Sequence, residues 1–121
     1  MKKLLIVDDK SSITNLLAQF LNKKYVVETK SNGLEALTWL QKGNIPDLII
    51  TDWQMPEMDG LELIKRLKES GYFKDIPVIV LSSKDSSSDR VQCLKMGAED
   101  YIVKPFNPEE LLIRLEKVLL R

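Results

Sequence analysis

Five short apolar runs alternate with five stretches of helical period along this chain, and that alternation restricts its fold more than any other feature. The runs Leu4–Val7, Val26–Val27, Leu48–Ile50, Val78–Leu81 and Tyr101–Val103 are rich in Ile, Val and Leu and read as strands. Leu4–Val7, Leu48–Ile50 and Val78–Leu81 are apolar at every position, as a strand must be when both of its faces are covered. Between the runs, Ile13, Leu16, Leu17, Phe20 and Leu21 recur at helical spacing behind Ser11 and Ser12, which are expected to cap that helix. Leu37 and Leu40 mark a second helix behind Asn32-Gly33, and Leu61, Ile64 and Leu67 mark a third, begun after Gly60 and stopped near Gly71. Val91 and Leu94 mark a fourth, opened by Ser86-Ser87-Ser88-Asp89 and ended by Gly97. The fifth opens on Pro108-Glu109-Glu110, with Pro in the first turn and acid facing the helix N-terminus, and runs on through Leu111, Leu112, Leu115, Val118 and Leu119. A repeat of this kind predicts an α/β three-layer sandwich, with a parallel sheet, right-handed crossovers and helices on both faces.

Composition removes several classes of function. At 121 residues the chain suits one domain, and no linker or low-complexity tract divides 1–121. Lys and Arg number 18 against 18 Asp and Glu, so the basic footprint of a nucleic-acid-binding domain is missing. With no His, the chain offers neither a His-based triad, a His metal ligand nor a phosphohistidine. A single cysteine, Cys93, excludes an internal disulfide and a cysteine zinc site; it reads as a small helix residue in a reducing compartment. The apolar run after Met1-Lys2-Lys3 is cut short by Asp8-Asp9, so no signal peptide is expected. No stretch approaches the roughly 18–20 apolar residues of a membrane span, and a cytoplasmic protein is the expectation.

Polar residues gather where the strands end. Asp8 and Asp9 follow the first strand, Asp52 the third, Ser82 the fourth and Lys104 the fifth. In open parallel sheets the carboxyl ends of the strands face one crevice, and ligands bind there at the switch point of the strand order. In a flavodoxin-like order 2-1-3-4-5 the first and third strands are neighbours, which would bring Asp8, Asp9 and Asp52 within a few ångströms of one another. Clustered carboxylates raise one another's pKa unless a cation compensates them, and Mg²⁺ suits a site of one or two carboxylates, waters and a phosphate. Lys104 adds a compact positive charge and Ser82 a hydroxyl donor. Together these groups describe a site for handling a phosphoryl group, in which one Asp could itself be the nucleophile.

The whole pattern resembles a response-regulator receiver domain. The matching pieces are Leu5-Ile6-Val7-Asp8-Asp9, Asp47-Leu48-Ile49-Ile50-Thr51-Asp52, Met55-Pro56-Glu57-Met58-Asp59-Gly60, Pro77-Val78-Ile79-Val80-Leu81-Ser82, and Gly97-Ala98-Glu99-Asp100-Tyr101 with Lys104-Pro105-Phe106. The resemblance implies the strand order 2-1-3-4-5 and the following roles. Asp52 accepts the phosphoryl group from a sensor histidine kinase or a phosphotransfer protein. Asp9 binds Mg²⁺ directly, Asp8 supports it largely through water, and the backbone carbonyl of Gln54 supplies another ligand. Lys104 contacts the phosphoryl group, and the Lys104–Pro105 bond is expected to be cis. Ser82 is the switch hydroxyl and Tyr101 the switch aromatic, which together reshape the face of the fourth helix, fifth strand and fifth helix. Lys10 stands where the family often has a further acid, and Ser82 where Thr is commoner. Gln54 and Lys84 occupy positions that tune the lifetime of the phosphoryl group.

Other readings stand beside these. Asp8-Asp9 also suits a helix cap and Asp59-Gly60 a turn and cap. Tyr101 also suits plain packing in a strand, and Trp53 flanks the crevice as a fluorescent reporter. Asp100 and Arg114 stand where DNA-binding members of the family pair charges across a symmetric dimer, and they equally suit a solvated helix face. A Mg²⁺-dependent phosphatase would place its nucleophile in Asp-x-Asp after the first strand and carry a cap; neither is present. A flavin or nucleotide module would need a Gly- or Ser/Thr-rich loop there, where Asp-Asp would repel phosphate. A receiver-like interaction module that acts without phosphorylation remains the alternative.

Overall fold

Every residue of the strands β3 (Leu48–Asp52) and β4 (Val78–Ser82) is buried, so both run through the middle of a sheet covered on its two faces. The computed structural model describes residues 1–83 and 87–121. In chain order the remaining elements are β1 (Lys3–Val7), α1 (Ser11–Leu21), β2 (Val26–Lys30), α2 (Gly33–Gln41), α3 (Gly60–Lys68), α4 (Ser87–Lys95), β5 (Asp100–Val103) and α5 (Pro108–Leu119). The sheet has five parallel strands in the order β2-β1-β3-β4-β5, the arrangement expected from the sequence.

Alternation along the strands sorts the core into two layers. Leu5, Val7, Ile49, Val78 and Val80 point to one face, against Ala36, Leu37 and Leu40 of α2, Leu63, Ile64 and Leu67 of α3, and Cys93 of α4. Leu4, Ile6, Leu48, Ile50, Ile79 and Leu81 point to the other, against Leu17 and Leu21 of α1 and Leu111 and Leu115 of α5. Register then aligns the strand ends: Val7 pairs with Thr51, Asp52 with Leu81 and Ser82 with Val103. Asp8, the residue after β1, is thereby level with Asp52.

Side chains start three of the helices. Asn32 Oδ1 accepts the Glu35 N–H at 2.8 Å, Asp59 Oδ1 accepts the Glu62 N–H at 2.9 Å, and Asn107 Oδ1 accepts the Glu109 N–H at 2.8 Å. The first helix departs from expectation. Ser11 is already helical and Lys10 occupies the cap position, with no side-chain cap bond. Neither Ser11 nor Ser12 caps the helix, because the turn is closed by Asp8, whose Oδ1 accepts the Lys10 N–H at 2.9 Å. The helix therefore starts before either serine can stand outside it. Asp52 and Ser82 are the last residues of their strands rather than the residues after them. Gly60 is the first residue of α3, which ends at Lys68, ahead of Gly71. β2 runs on to Lys30, beyond the expected Val26–Val27, since an edge strand with one neighbour tolerates the polar Glu28-Thr29-Lys30. Gly97, at φ 108°, lets the chain turn out of α4 in the left-handed region where glycine is at ease. The expected roles of Lys84 and Ser86 lie outside the described residues. Among the described residues no helix is long and apolar enough to cross a membrane.

Candidate functional site

Asp8, Asp9 and Asp52 each offer a carboxylate oxygen, and these oxygens all lie within 4.8 Å of one another at the carboxyl end of the sheet. Asp8 and Asp52 are buried, at 2% and 8% exposure, while Asp9 opens to solvent. Lys104 reaches between the two buried acids. Its Nζ donates to Asp8 Oδ2 at 2.8 Å and stands 3.6 Å from Asp52 Oδ1. The Trp53 backbone N–H also donates to Asp52 Oδ1, at 2.8 Å, which fixes the carboxylate on its stem. Burial pushes the Asp52 pKa above its ordinary 3.8, and the nearby Asp8 and Asp9 push the same way, against Lys104 and the Trp53 N–H.

Among the described residues, three carboxylates facing one ammonium leave an excess of negative charge in a site made of hard oxygen donors. That donor chemistry fits Mg²⁺, which takes carboxylates, carbonyls and water and leaves positions free for a phosphate. Gln54 is exposed in the loop that follows Asp52, two residues on from the buried carboxylate. Two glycines hold that loop. A Cβ on Gly60 would stand 2.3 Å from the Asp52 carbonyl oxygen, and the Gly60 N–H donates to the Trp53 carbonyl at 3.0 Å. A Cβ on Gly33 would stand 2.5 Å from the Met58 carbonyl oxygen, to which the Gly33 N–H donates at 3.0 Å. The sequence pointed to Asp59-Gly60 as a turn and cap, which it is. It carried no sign of the second brace, because Gly33 at the start of α2 and Met58 in the loop before α3 are brought together only by the fold.

Ser82, 1% exposed, closes the end of β4, and its neighbour across the ladder, β5, carries Tyr101. Tyr101 is packed in the core and hydrogen-bonded to Ser82, and burial raises the pKa of its phenol. Tyr101 is thus a packed strand residue that also touches the Ser82 hydroxyl. The Lys104–Pro105 peptide bond is cis. Trp53, the residue after Asp52, packs into the core.

The family model for the response regulator receiver domain matches residues 4–116. The chain belongs to the response-regulator receiver family. Receiver domains bind Mg²⁺ at an acidic pocket and act as signalling switches rather than turnover enzymes. Among its relatives, the chemotaxis protein CheY1 of Helicobacter pylori (strain ATCC 700392 / 26695) is 38% identical over 97% of this chain and 96% of its own. The response regulator MprA of Mycobacterium sp. (strain KMS) is 42% identical over 98% of this chain, which spans 51% of that longer protein. Two solved structures share the fold closely. The Vibrio cholerae chemotaxis response regulator CheY4 has a TM-score of 0.90 at 39% identity, over 98% of each chain. A putative response regulator from Chloroflexus aurantiacus J-10-fl has a TM-score of 0.92 at 36% identity, over 99% of this chain and 98% of its own.

On the receiver's α4–β5–α5 face, Asp100 and Arg114 are already partners within the chain. Arg114 Nη1 donates to Asp100 Oδ2 at 2.9 Å and Nη2 to Glu110 Oε1 at 3.1 Å. Both acids hold the guanidinium above its ordinary pKa.

Proposed function

We propose that residues 1–121 form a single cytoplasmic phosphoacceptor domain of a two-component or phosphorelay pathway. Its phosphodonor is the phosphohistidine of a sensor histidine kinase or phosphotransfer protein. The observation that carries this reading is the buried Asp52 carboxylate, with the Lys104 ammonium 3.6 Å away and two further carboxylates beside it.

An oxygen of Asp52 attacks phosphorus in line; the new O–P bond forms as the N–P bond to the donor imidazole breaks. Lys104 neutralises the equatorial phosphoryl oxygens and is held ready for them by its bond to Asp8. Asp8, Asp9, Asp52 and the Gln54 carbonyl would hold Mg²⁺, which would supply electrostatic stabilisation of the same oxygens. The Ser82 hydroxyl then donates to the acyl phosphate, and the position of Tyr101, bonded to Ser82, is set with it. Phosphorylation biases an equilibrium between two positions of this pair, and with them the α4–β5–α5 face. Water cleaves the acyl phosphate and resets the switch. The chain thus phosphorylates and dephosphorylates itself without turning over a separate substrate.

The same face is proposed to form a phosphorylation-dependent homodimer in which Arg114 exchanges its Asp100 partner between copies. Each exposed pair contributes only about 0–1 kcal/mol, so the pairs select the partner more than they add affinity. A gain in sedimentation mass with a phosphoryl mimic is expected, and an unchanged mass refutes the dimer.

Intact mass after incubation with a small-molecule phosphodonor tests the central claim. One Mg²⁺-dependent phosphoryl adduct is expected on the wild type and none on Asp52→Ala. No adduct on the wild type under any condition would overturn the reading and leave an interaction module that acts without phosphorylation.

A further inference from the structure

α4 is held to the sheet more sparingly than the other helices: among its described residues only Cys93 is buried, whereas α3 buries Gly60, Leu63, Ile64 and Leu67. What else couples α4 to β5 is therefore informative. The guanidinium carbon of Arg90, on the exposed side of α4, lies 5.9 Å from the centroid of the Tyr101 ring. A cation at that range over an aromatic face is attracted by the ring's negative quadrupole, and an arginine also spreads its plane over the ring and shields it from water. The contact is made with the ring in its buried position. Tyr101 in that position is also the Tyr101 that reaches the Ser82 hydroxyl. In the two-position switch proposed above, the contact from Arg90 is made to the buried position of the ring.

We infer that Arg90 is a positioning residue, which holds Tyr101 in its buried, Ser82-bonded position and so sets how much of the chain stands ready to accept a phosphoryl group. This rests on the phosphoacceptor reading above, in which Ser82 and Tyr101 act as the switch. A group that stabilises one of two pre-existing states shifts their ratio by its differential interaction alone. For a cation–ring contact at an exposed site the shift is about two- to five-fold. Arg90 is exposed and the core layer does not depend on it, so its replacement is expected to leave the fold intact. Charge and reach can be separated: Arg90→Met keeps the aliphatic cover and loses the cation, and Arg90→Lys keeps a cation in compact form.

The test uses the full chain labelled with 3-fluorotyrosine. It has three tyrosines, Tyr25, Tyr72 and Tyr101, and the Tyr101 fluorine signal is assigned by its loss in Tyr101→Phe. In Arg90→Met the Tyr101 signal is expected to move towards the frequency of solvent-exposed fluorotyrosine, with Arg90→Lys between it and the wild type. Tyr25 and Tyr72 are expected to stay in place, which reports that the variants are folded. The rate of adduct formation with a small-molecule phosphodonor is expected to fall in Arg90→Met, by up to about two- to five-fold. An unmoved Tyr101 signal in Arg90→Met overturns the inference, and so does a moved signal with an unchanged rate. Absence of any adduct on the wild type instead overturns the phosphoacceptor reading, and the fluorine spectra still decide whether Arg90 positions the ring.

Discussion

Asp52 bears an electrostatic burden, since its pKa is pushed above 3.8 by burial first and, against the opposing Lys104, by Asp8 and Asp9. A carboxyl whose pKa rises on folding binds its proton more tightly in the folded chain, so folding is penalised as pH climbs through the folded pKa. Below 3.8 the penalty is absent, because folded and unfolded chains are both protonated at this site. Asp52→Asn removes the titration while keeping the shape. It is expected to melt higher than the wild type at pH 7, with the gap closing as pH falls towards 3.8. For a chain of this length about 1 kcal/mol corresponds to roughly 3–6 °C. Thermal melts across that pH range check it, and a gap that stays constant with pH would be inconsistent with the assigned cause. Cys93 makes a second case. Fully buried, its thiol is pushed up from 9.0 to about 12, chiefly by burial. At pH 8 the native thiolate fraction is then about a thousandfold below that of an unperturbed thiol, and alkylation should be slower by at least that factor until the chain is unfolded. Rapid native-state labelling followed by mass spectrometry would contradict it. The same difference in pKa makes the contribution of Cys93 to stability complete below 9.0, and it is lost as pH rises towards about 12.

Elements, more than single residues, show what could be read in advance. The apolar runs at β1, β3 and β4 announced central strands because two covered faces leave no room for polar side chains, and the carboxyl ends of those strands carried Asp8, Asp52 and Ser82 in plain view. Edges and helix starts were harder to read. At β2 the polar Glu28 and Lys30 conceal a strand, since an edge position with one neighbour leaves them free to pair with each other at 3.2 Å. At α1 the adjacent serines looked like caps, yet a contact from Asp8 settles the turn before them. The brace of the Asp52 loop was out of sight for a related reason: a glycine's function there is a distance to another element's carbonyl, and a sequence holds no such distances. This suggests a paired experiment. Gly60→Ala drives a methyl to 2.3 Å from the Asp52 carbonyl oxygen, an atom of backbone that cannot step aside. Gly71→Ala meets nothing within 4 Å. The first substitution is expected to cost about 1–3 kcal/mol in urea denaturation, as overpacking does, and to slow adduct formation at Asp52. The second is expected to be neutral or to stabilise by about 0.4–1 kcal/mol, through a less flexible unfolded chain. Equal midpoints for the two variants would show that the close approach at Gly60 has no energetic weight.

At the scale of the whole molecule, equal numbers of acids and bases conceal an uneven placement. The 18 Lys and Arg balance 18 Asp and Glu overall, but a parallel sheet brings its strand ends together, and among the described residues three carboxylates meet one ammonium at that end. The repulsion is built into the topology: register sets Asp8 level with Asp52, and no side-chain rearrangement can separate their strands. A divalent cation that binds this end only when the strands are in place must stabilise the entire fold, because the unfolded chain scatters the same three acids along its length. Linkage gives the size. At about one hundred times its dissociation constant, Mg²⁺ should add about 2.7 kcal/mol to the stability of the wild type, and a chelator should remove it. Asp9→Asn deletes the exposed member of the cluster without opening a cavity, and it is expected to lose most of that increment while staying near the wild type in metal-free buffer. Lys104→Met removes the cation that shares the cluster, so the metal-free chain should be less stable and the Mg²⁺ increment should grow. Calorimetric melts of the three proteins, each with Mg²⁺ and with chelator, separate these effects. An increment that is the same in Asp9→Asn as in the wild type would place the ion elsewhere, and the charge at the end of the sheet would then need another partner to offset it.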